Sequence, residues 1–64
     1  MDKQITITLS AKDAWWLRSA CFDSYLYWKK MQDENPELND EGCNLVKEHS
    51  LKFYDMLTEA GAAL

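Results

Sequence analysis

Hydrophobic and polar residues alternate one by one through Gln4-Ile5-Thr6-Ile7-Thr8-Leu9. Ile5, Ile7 and Leu9 then share one side, with Gln4, Thr6 and Thr8 on the other. β-Branched residues at a period of two predict a short, half-buried β-strand over about residues 4–9. Its backbone N–H and C=O groups need a neighbour, and the chain offers no second alternating segment. Pairing with the same strand of a second copy, as a ribbon across a two-fold axis, is the economical expectation; the alternative is a strand lying along the helices with its edges wetted by water.

The period changes at Ser10. Ser10-Ala11-Lys12-Asp13 resembles a capping box, with Ser10 as the N-cap and Asp13 suiting the positive end of the helix dipole. A helix is predicted over about 11–34. Lys12, Ser19, Asp23 and Lys30 fall in one narrow arc of it, and Arg18, Lys29 and Gln32 form a weaker polar patch. The rest is large and apolar: Trp15, Trp16, Leu17, Phe22, Leu26, Tyr27, Trp28 and Met31. Surface helices carry one apolar stripe. This one needs covering on more than one side, which again points to an assembly.

Pro36 biases Asn35 away from helical geometry and ends the first helix. Asn35 or Asn39 is a candidate cap for a second helix over about 40–60. There Val46, Phe53 and Ala60 recur every seven residues, interleaved with Gly42, His49 and Met56, and Leu45 and Leu57 widen the stripe. This predicts a heptad-like seam lying against the first helix. Lys47, Glu48, Lys52, Asp55 and Glu59 would face water, and Leu51 and Tyr54 fall off the seam. Gly61 is the expected helix stop. The fold class is therefore mostly α: one domain (1–64) with a short N-terminal β-strand followed by an antiparallel two-helix hairpin, dimerised.

Size reinforces the dimer. A 64-residue chain buries only about 60% of the surface its unfolded form exposes. Cys21 and Cys43 do not form a Cys-x-x-Cys pair, and the residues after Met1 lack the pattern of a signal peptide. Reduced thiols and a cytoplasmic location are the expectation. No apolar run approaches the roughly 20 residues of a membrane span. The net charge of −4 argues against nucleic acid and suits contact with a basic protein surface.

Candidate chemistry is sparse. Asp33, Glu34, Glu37, Asp40 and Glu41 crowd the turn between the helices, but their spacing does not match a calcium loop. They read as a solvated turn and a candidate contact surface. His49 is the lone histidine, expected in a seam and bonded to backbone or to a hydroxyl such as Tyr25 or Ser24; if buried between subunits, it would weaken assembly towards about pH 6. No acid, base and nucleophile can be assembled, so no catalytic site, metal or cofactor is expected. Trp15, Trp16, Tyr25, Tyr27 and Trp28 on one helix, near Lys12, Arg18, Lys29 and Lys30, admit a nucleotide-binding reading. Packing and protein contact are the simpler use of such rings. Adjacent Trp15 and Trp16 cannot both point into one core, so one should face a partner or solvent. Leu51 and Tyr54, off the seam, could join Trp16 or Tyr27 in a patch.

Two resemblances follow. The strand–helix–helix order, on Lys3 to about Ala14, resembles the ribbon-helix-helix repressors, which would make Gln4, Thr6 and Thr8 the DNA-reading residues. The long first helix and the acidic Pro-containing turn depart from that family. From Ile5 to Asp13, and in overall pattern, the chain resembles the small acidic proteins of phages and prophages, some of which bind and block a host protein. That resemblance implies a non-enzymatic protein-interaction module; its homo-oligomeric form is expected from the unpaired strand and the surplus apolar surface of the first helix. The candidate contacts are Ile5, Ile7, Leu9, Trp15, Trp16, Tyr27, Trp28, Asp33, Glu34, Glu37, Asp40, Glu41 and Tyr54.

Overall fold

A computed structural model describes residues 2–64. It contains two helices, α1 (Ala11–Glu34) and α2 (Glu41–Glu59), joined by one 3₁₀ turn at Pro36–Leu38. Contacts between the helices run in opposite senses along the chain. Arg18 meets Thr58 and Tyr54, Ser24 meets Ser50, and Gln32 meets Asn44. The pair is therefore an antiparallel hairpin, as the short connection requires.

Each helix end has an identifiable stop. The Ser10 hydroxyl accepts the Asp13 backbone N–H at 3.0 Å, which satisfies one of the free donors of the first turn. Asp13 takes part through its backbone. At the far end of α1, both the backbone N–H and the side-chain amide of Asn35 donate to the Met31 carbonyl, at 2.9 and 3.1 Å. Asn35 itself is extended ahead of Pro36 (φ −133°). The cap of α2 is Asp40, and not Asn35 or Asn39: its Oδ1 accepts the Cys43 N–H at 2.8 Å. A carboxylate outcompetes an amide here because it also meets the helix dipole with full charge. At the C-terminal end, Gly61 takes φ +99°. Gly61 N–H donates to Thr58 and Ala62 N–H to Leu57, at 3.2 and 3.1 Å. That is a Schellman closure with Gly61 in the left-handed position.

The N-terminal segment corrects the strand expectation. Residues 2–10 are exposed and unpaired, and no strand occurs among the described residues. The physical reason is the one the sequence raised: within a single chain there is no other edge to bond. Ile5 and Ile7 stand 82% and 70% exposed on this arm.

The seam between the helices is a second correction. The heptad stripe of α2 does not lie against α1. Val46, Phe53 and Met56 remain exposed at 44%, 44% and 54%, and His49 is exposed as well. The residues turned towards α1 are Cys43, Lys47, Ser50, Leu51, Tyr54 and Leu57, all buried or half-buried. Leu51 and Tyr54 thus belong to the seam, and Lys47 does not face water: its Nζ donates to Gln32 Oε1 at 2.8 Å. From α1, Arg18 and Gln32 also turn inward, so they do not form an outer polar patch. Ser50 is the buried polar residue. Its hydroxyl donates to the Val46 carbonyl at 2.8 Å, and the Ser24 hydroxyl lies 3.2 Å away. Small side chains let the helices approach closely here, and their hydroxyls find partners without water.

The consequence is a chain with almost no interior of its own. Ala14 is its only buried hydrophobic residue among those described, and no large side chain is fully buried. The hairpin is a slab of 38 × 34 × 14 Å. It is one helical layer thick, whereas stable domains stack at least two layers.

Candidate interaction surface

The polar end of the slab is tied down around Gln32. Its amide nitrogen donates to the Leu38 carbonyl and to Asn44 Oδ1 at 3.1 and 2.9 Å, while its oxygen accepts Lys47. Asn44 reaches back to Asn39 Oδ1 at 3.3 Å. These bonds fix the turn that carries Asp33, Glu34, Glu37, Asp40 and Glu41, all of which are exposed. Asp40 is held below the usual carboxylate range, first by the backbone N–H of Cys43. The Cys43 thiol is pushed up, first by desolvation and then by the adjoining Asp40 carboxylate. Cys21 and Cys43 are both free and half-buried. Among the described residues, no three His, Cys, Asp or Glu side chains converge where they could hold a metal ion.

The aromatic residues separate into distinct places. Trp15 is half-buried while Trp16 is 58% exposed, and their rings meet edge to face at 5.0 Å. One of the adjacent tryptophans therefore faces solvent, as their spacing requires. Tyr27 is 52% exposed and stacks on half-buried Trp28 at 5.4 Å. Trp15 and Trp28 stand about 20 Å apart along α1 at ~1.5 Å per residue. The tryptophans do not form one base-stacking crevice. Tyr54 joins neither group; it packs on Phe22, centroids 5.1 Å apart, and under the Arg18 guanidinium.

What the structure does bring together is an apolar groove along one side of the hairpin. Its volume is about 470 Å³. Small residues of α1 and α2 form the floor (Ala20, Ser24 and Ser50), and Leu45, Val46 and Phe53 form the rim on α2. His49 lies on this side; its Nδ1 is the donor to the Leu45 carbonyl at 2.8 Å, and its ring sits 6.1 Å from Phe53. The expected hydroxyl partners, Tyr25 and Ser24, are not used.

A second hollow of about 370 Å³ continues along the base of the slab. There the arm meets the helices: Ile7 and Leu9 approach Leu17, Leu57 and Ala60. Ile5 stays clear of it. Ala60 carries on the heptad of Val46 and Phe53, so the two hollows share one side of α2.

Reading the sequence alone missed the floor. Ala20, Ser24 and Ser50 carry no chemistry that singles them out, but Ser50 follows Val46 by one turn and Ala20 and Ser24 are small residues of α1 lining the same groove, and that contrast was the available signal. No helix among the described residues is long and apolar enough to cross a membrane. No family model matches this chain, and neither the curated proteins nor the solved structures contain a match to it.

Proposed function

We propose that this chain is a non-enzymatic protein-interaction module that works as a homo-oligomer in the cytoplasm, of the kind phages use to bind and block a host protein. The observation that carries the reading is the absence, among the described residues, of any fully buried large side chain. A hairpin this thin does not bury enough apolar surface to offset its conformational entropy. It is completed by other protein. The exposed arm fits the same reading, since Ile5, Ile7 and Leu9 would gain strand geometry by pairing with a second copy. Unpaired Cys21 and Cys43 suit a reducing compartment.

The surface left for a foreign protein is the acidic turn and whatever part of the exposed aromatics of α1 the assembly leaves uncovered. Trp16 and Tyr27 are exposed aromatic anchors of the type that dominate binding energy. The carboxylates of the turn would steer a basic partner. The DNA reading draws less support, because the arm carries Lys3 beside Asp2 and no basic edge.

The test has two parts. Light scattering should give a mass of at least twice the 7.5 kDa of the chain. A host protein retained by the native chain should be lost when Glu37 and Glu41 of the turn are replaced by glutamine, while the assembly mass is unchanged. A monomer at all concentrations, or capture indifferent to Trp16, Tyr27 and the turn carboxylates, would count against the module as described.

A further inference from the structure

We infer that the groove side of the hairpin is the self-association face: a second copy packs on it across a two-fold axis, closing a four-helix bundle. The inference rests on the homo-oligomeric reading above and adds to it the face and the geometry. Four observations lead there.

The first is area. The chain exposes 5274 Å², whereas a folded monomer of 7.5 kDa exposes about 4,250 Å². The excess is about 1,000 Å², close to the roughly 800 Å² that each partner contributes to a stable interface. Part of it belongs to the arm, whose Ile7 and Leu9 lie in the hollow that continues the groove.

Charge is the second. Of all residues, 28% are charged, yet no Asp, Glu, Lys or Arg lines either hollow. Two copies of a chain of net charge −4 repel at long range, and a face free of carboxylates is where their close approach costs least. A basic foreign helix would find no acid here to favour it, and the acids are concentrated at the turn instead.

Shape is the third. A two-fold interface must be self-complementary, each copy supplying both halves of the fit. This face has a floor of small residues beside a ridge formed by Val46 and Phe53. Two-fold rotation sets the ridge of one copy over the floor of the other. A face built for an unrelated partner has no need of both.

The last is layering. The slab is 14 Å in its thin direction, and a second slab on the groove side supplies the layer it lacks. The seam of each hairpin would then run parallel to a new, drier seam between hairpins, as in four-helix bundles.

The experiment compares assembly with access to the groove. Light scattering of the native chain should give twice the chain mass, and Phe53→Asp should raise the dissociation constant at least about 30-fold. Asp23→Asn, on the outer side of α1, should leave the mass unchanged. Because Phe53→Asp could unfold a hairpin that depends on its partner, a second readout uses the native groove residue Cys21. In a Cys43→Ala chain, the reaction of Cys21 with a thiol reagent should slow with rising protein concentration, in step with the dimer fraction. A cysteine placed by Asp23→Cys in a chain lacking both native cysteines should react at one rate throughout. A dimer whose Cys21 reacts independently of concentration would overturn the groove inference while leaving the homo-oligomer standing. A chain monomeric at every concentration would overturn both.

Discussion

The guanidinium of Arg18 sits 4.3 Å above the ring centroid of Tyr54 while its Nη2 donates to the Tyr54 hydroxyl at 2.6 Å and its Nε to Thr58 Oγ1 at 2.7 Å. One side chain of α1 is therefore held by two residues a turn apart on α2. Arg18→Ala should cost about 1–2 kcal/mol, since a cation–π contact and charge-assisted hydrogen bonds are lost together. Tyr54→Phe keeps the ring and removes the hydroxyl, so it should cost about 0.5–1.5 kcal/mol. In a chain of this size 1 kcal/mol moves the melting temperature by roughly 4–8 °C. Thermal melts followed by circular dichroism should rank the two variants in that order; equal melts for Arg18→Ala and the native chain would remove the contact from the account of stability.

The two glycines should answer alanine with opposite signs. Gly61 holds φ +99°, and a Cβ there would meet nothing within 4 Å. Its substitution is thus strained by backbone conformation alone, at about 1–2 kcal/mol. Gly42 is helical, and its added Cβ would sit 3.5 Å from Asp40 Oδ1, an ordinary contact. Gly42→Ala should stabilise by up to about 1 kcal/mol. Denaturant titrations of both proteins would check the signs, and destabilisation by Gly42→Ala would show that the α2 stripe needs a bare backbone at that point.

Acid should loosen α2 from its N-terminal end. The folded protein holds Asp40 below its ordinary value, chiefly through the Cys43 N–H. A carboxylate with a depressed folded pKa stabilises the fold fully above the unfolded value, near pH 4, and loses that contribution as pH falls through the folded value. Asp40→Asn keeps a side-chain acceptor for the cap and should flatten this part of the acid titration of helicity. The same change removes the negative charge beside Cys43, which holds that thiol up. Alkylation of Cys43 at mildly alkaline pH should therefore accelerate in Asp40→Asn, and an unchanged rate would argue that desolvation alone sets it.

Removing residues 2–9 separates the arm from the helices. The far-UV signal of α1 and α2 should survive, because no backbone bond of either helix is made by those residues. Assembly should weaken without disappearing, since the groove remains while Ile7 and Leu9 are gone. Complete dissociation on truncation would instead make a paired ribbon the main dimer contact.

Most of the helical architecture was legible in the residues. Ser10, Pro36 and Gly61 mark ends through local chemistry that does not depend on context. The side of α2 that meets α1 was not legible. Periodicity locates an apolar stripe but does not say which surface covers it. The rule that the stripe of Val46, Phe53 and Ala60 faces the nearest helix fails because Ser50, Tyr54 and Lys47 find polar partners on α1: Ser24, Arg18 and Gln32. Those pairings span up to 36 residues and leave no local trace. The strand is absent from the described residues for a related reason. Alternation at Ile5, Ile7 and Leu9 records a preference for a pleated surface, and a lone chain has no edge on which to express it. Of the candidate contacts, Trp16 and Tyr27 stand exposed, whereas Tyr54 is occupied within the hairpin.

The polar character of the helix seam has a consequence for how the chain reaches its folded state. Arg18–Tyr54, Ser24–Ser50 and Gln32–Asn44 act as a registration key: sliding α2 by one turn would leave each donor facing the wrong group. Such a key selects one alignment but contributes little driving force, because each bond largely replaces one to water. Collapse and alignment are then separate events. If the chain assembles as proposed, the helices can find their register early and still wait for a second molecule to make the arrangement last. Refolding from denaturant should accordingly show a slow phase that is second order in protein, with an amplitude that vanishes on dilution.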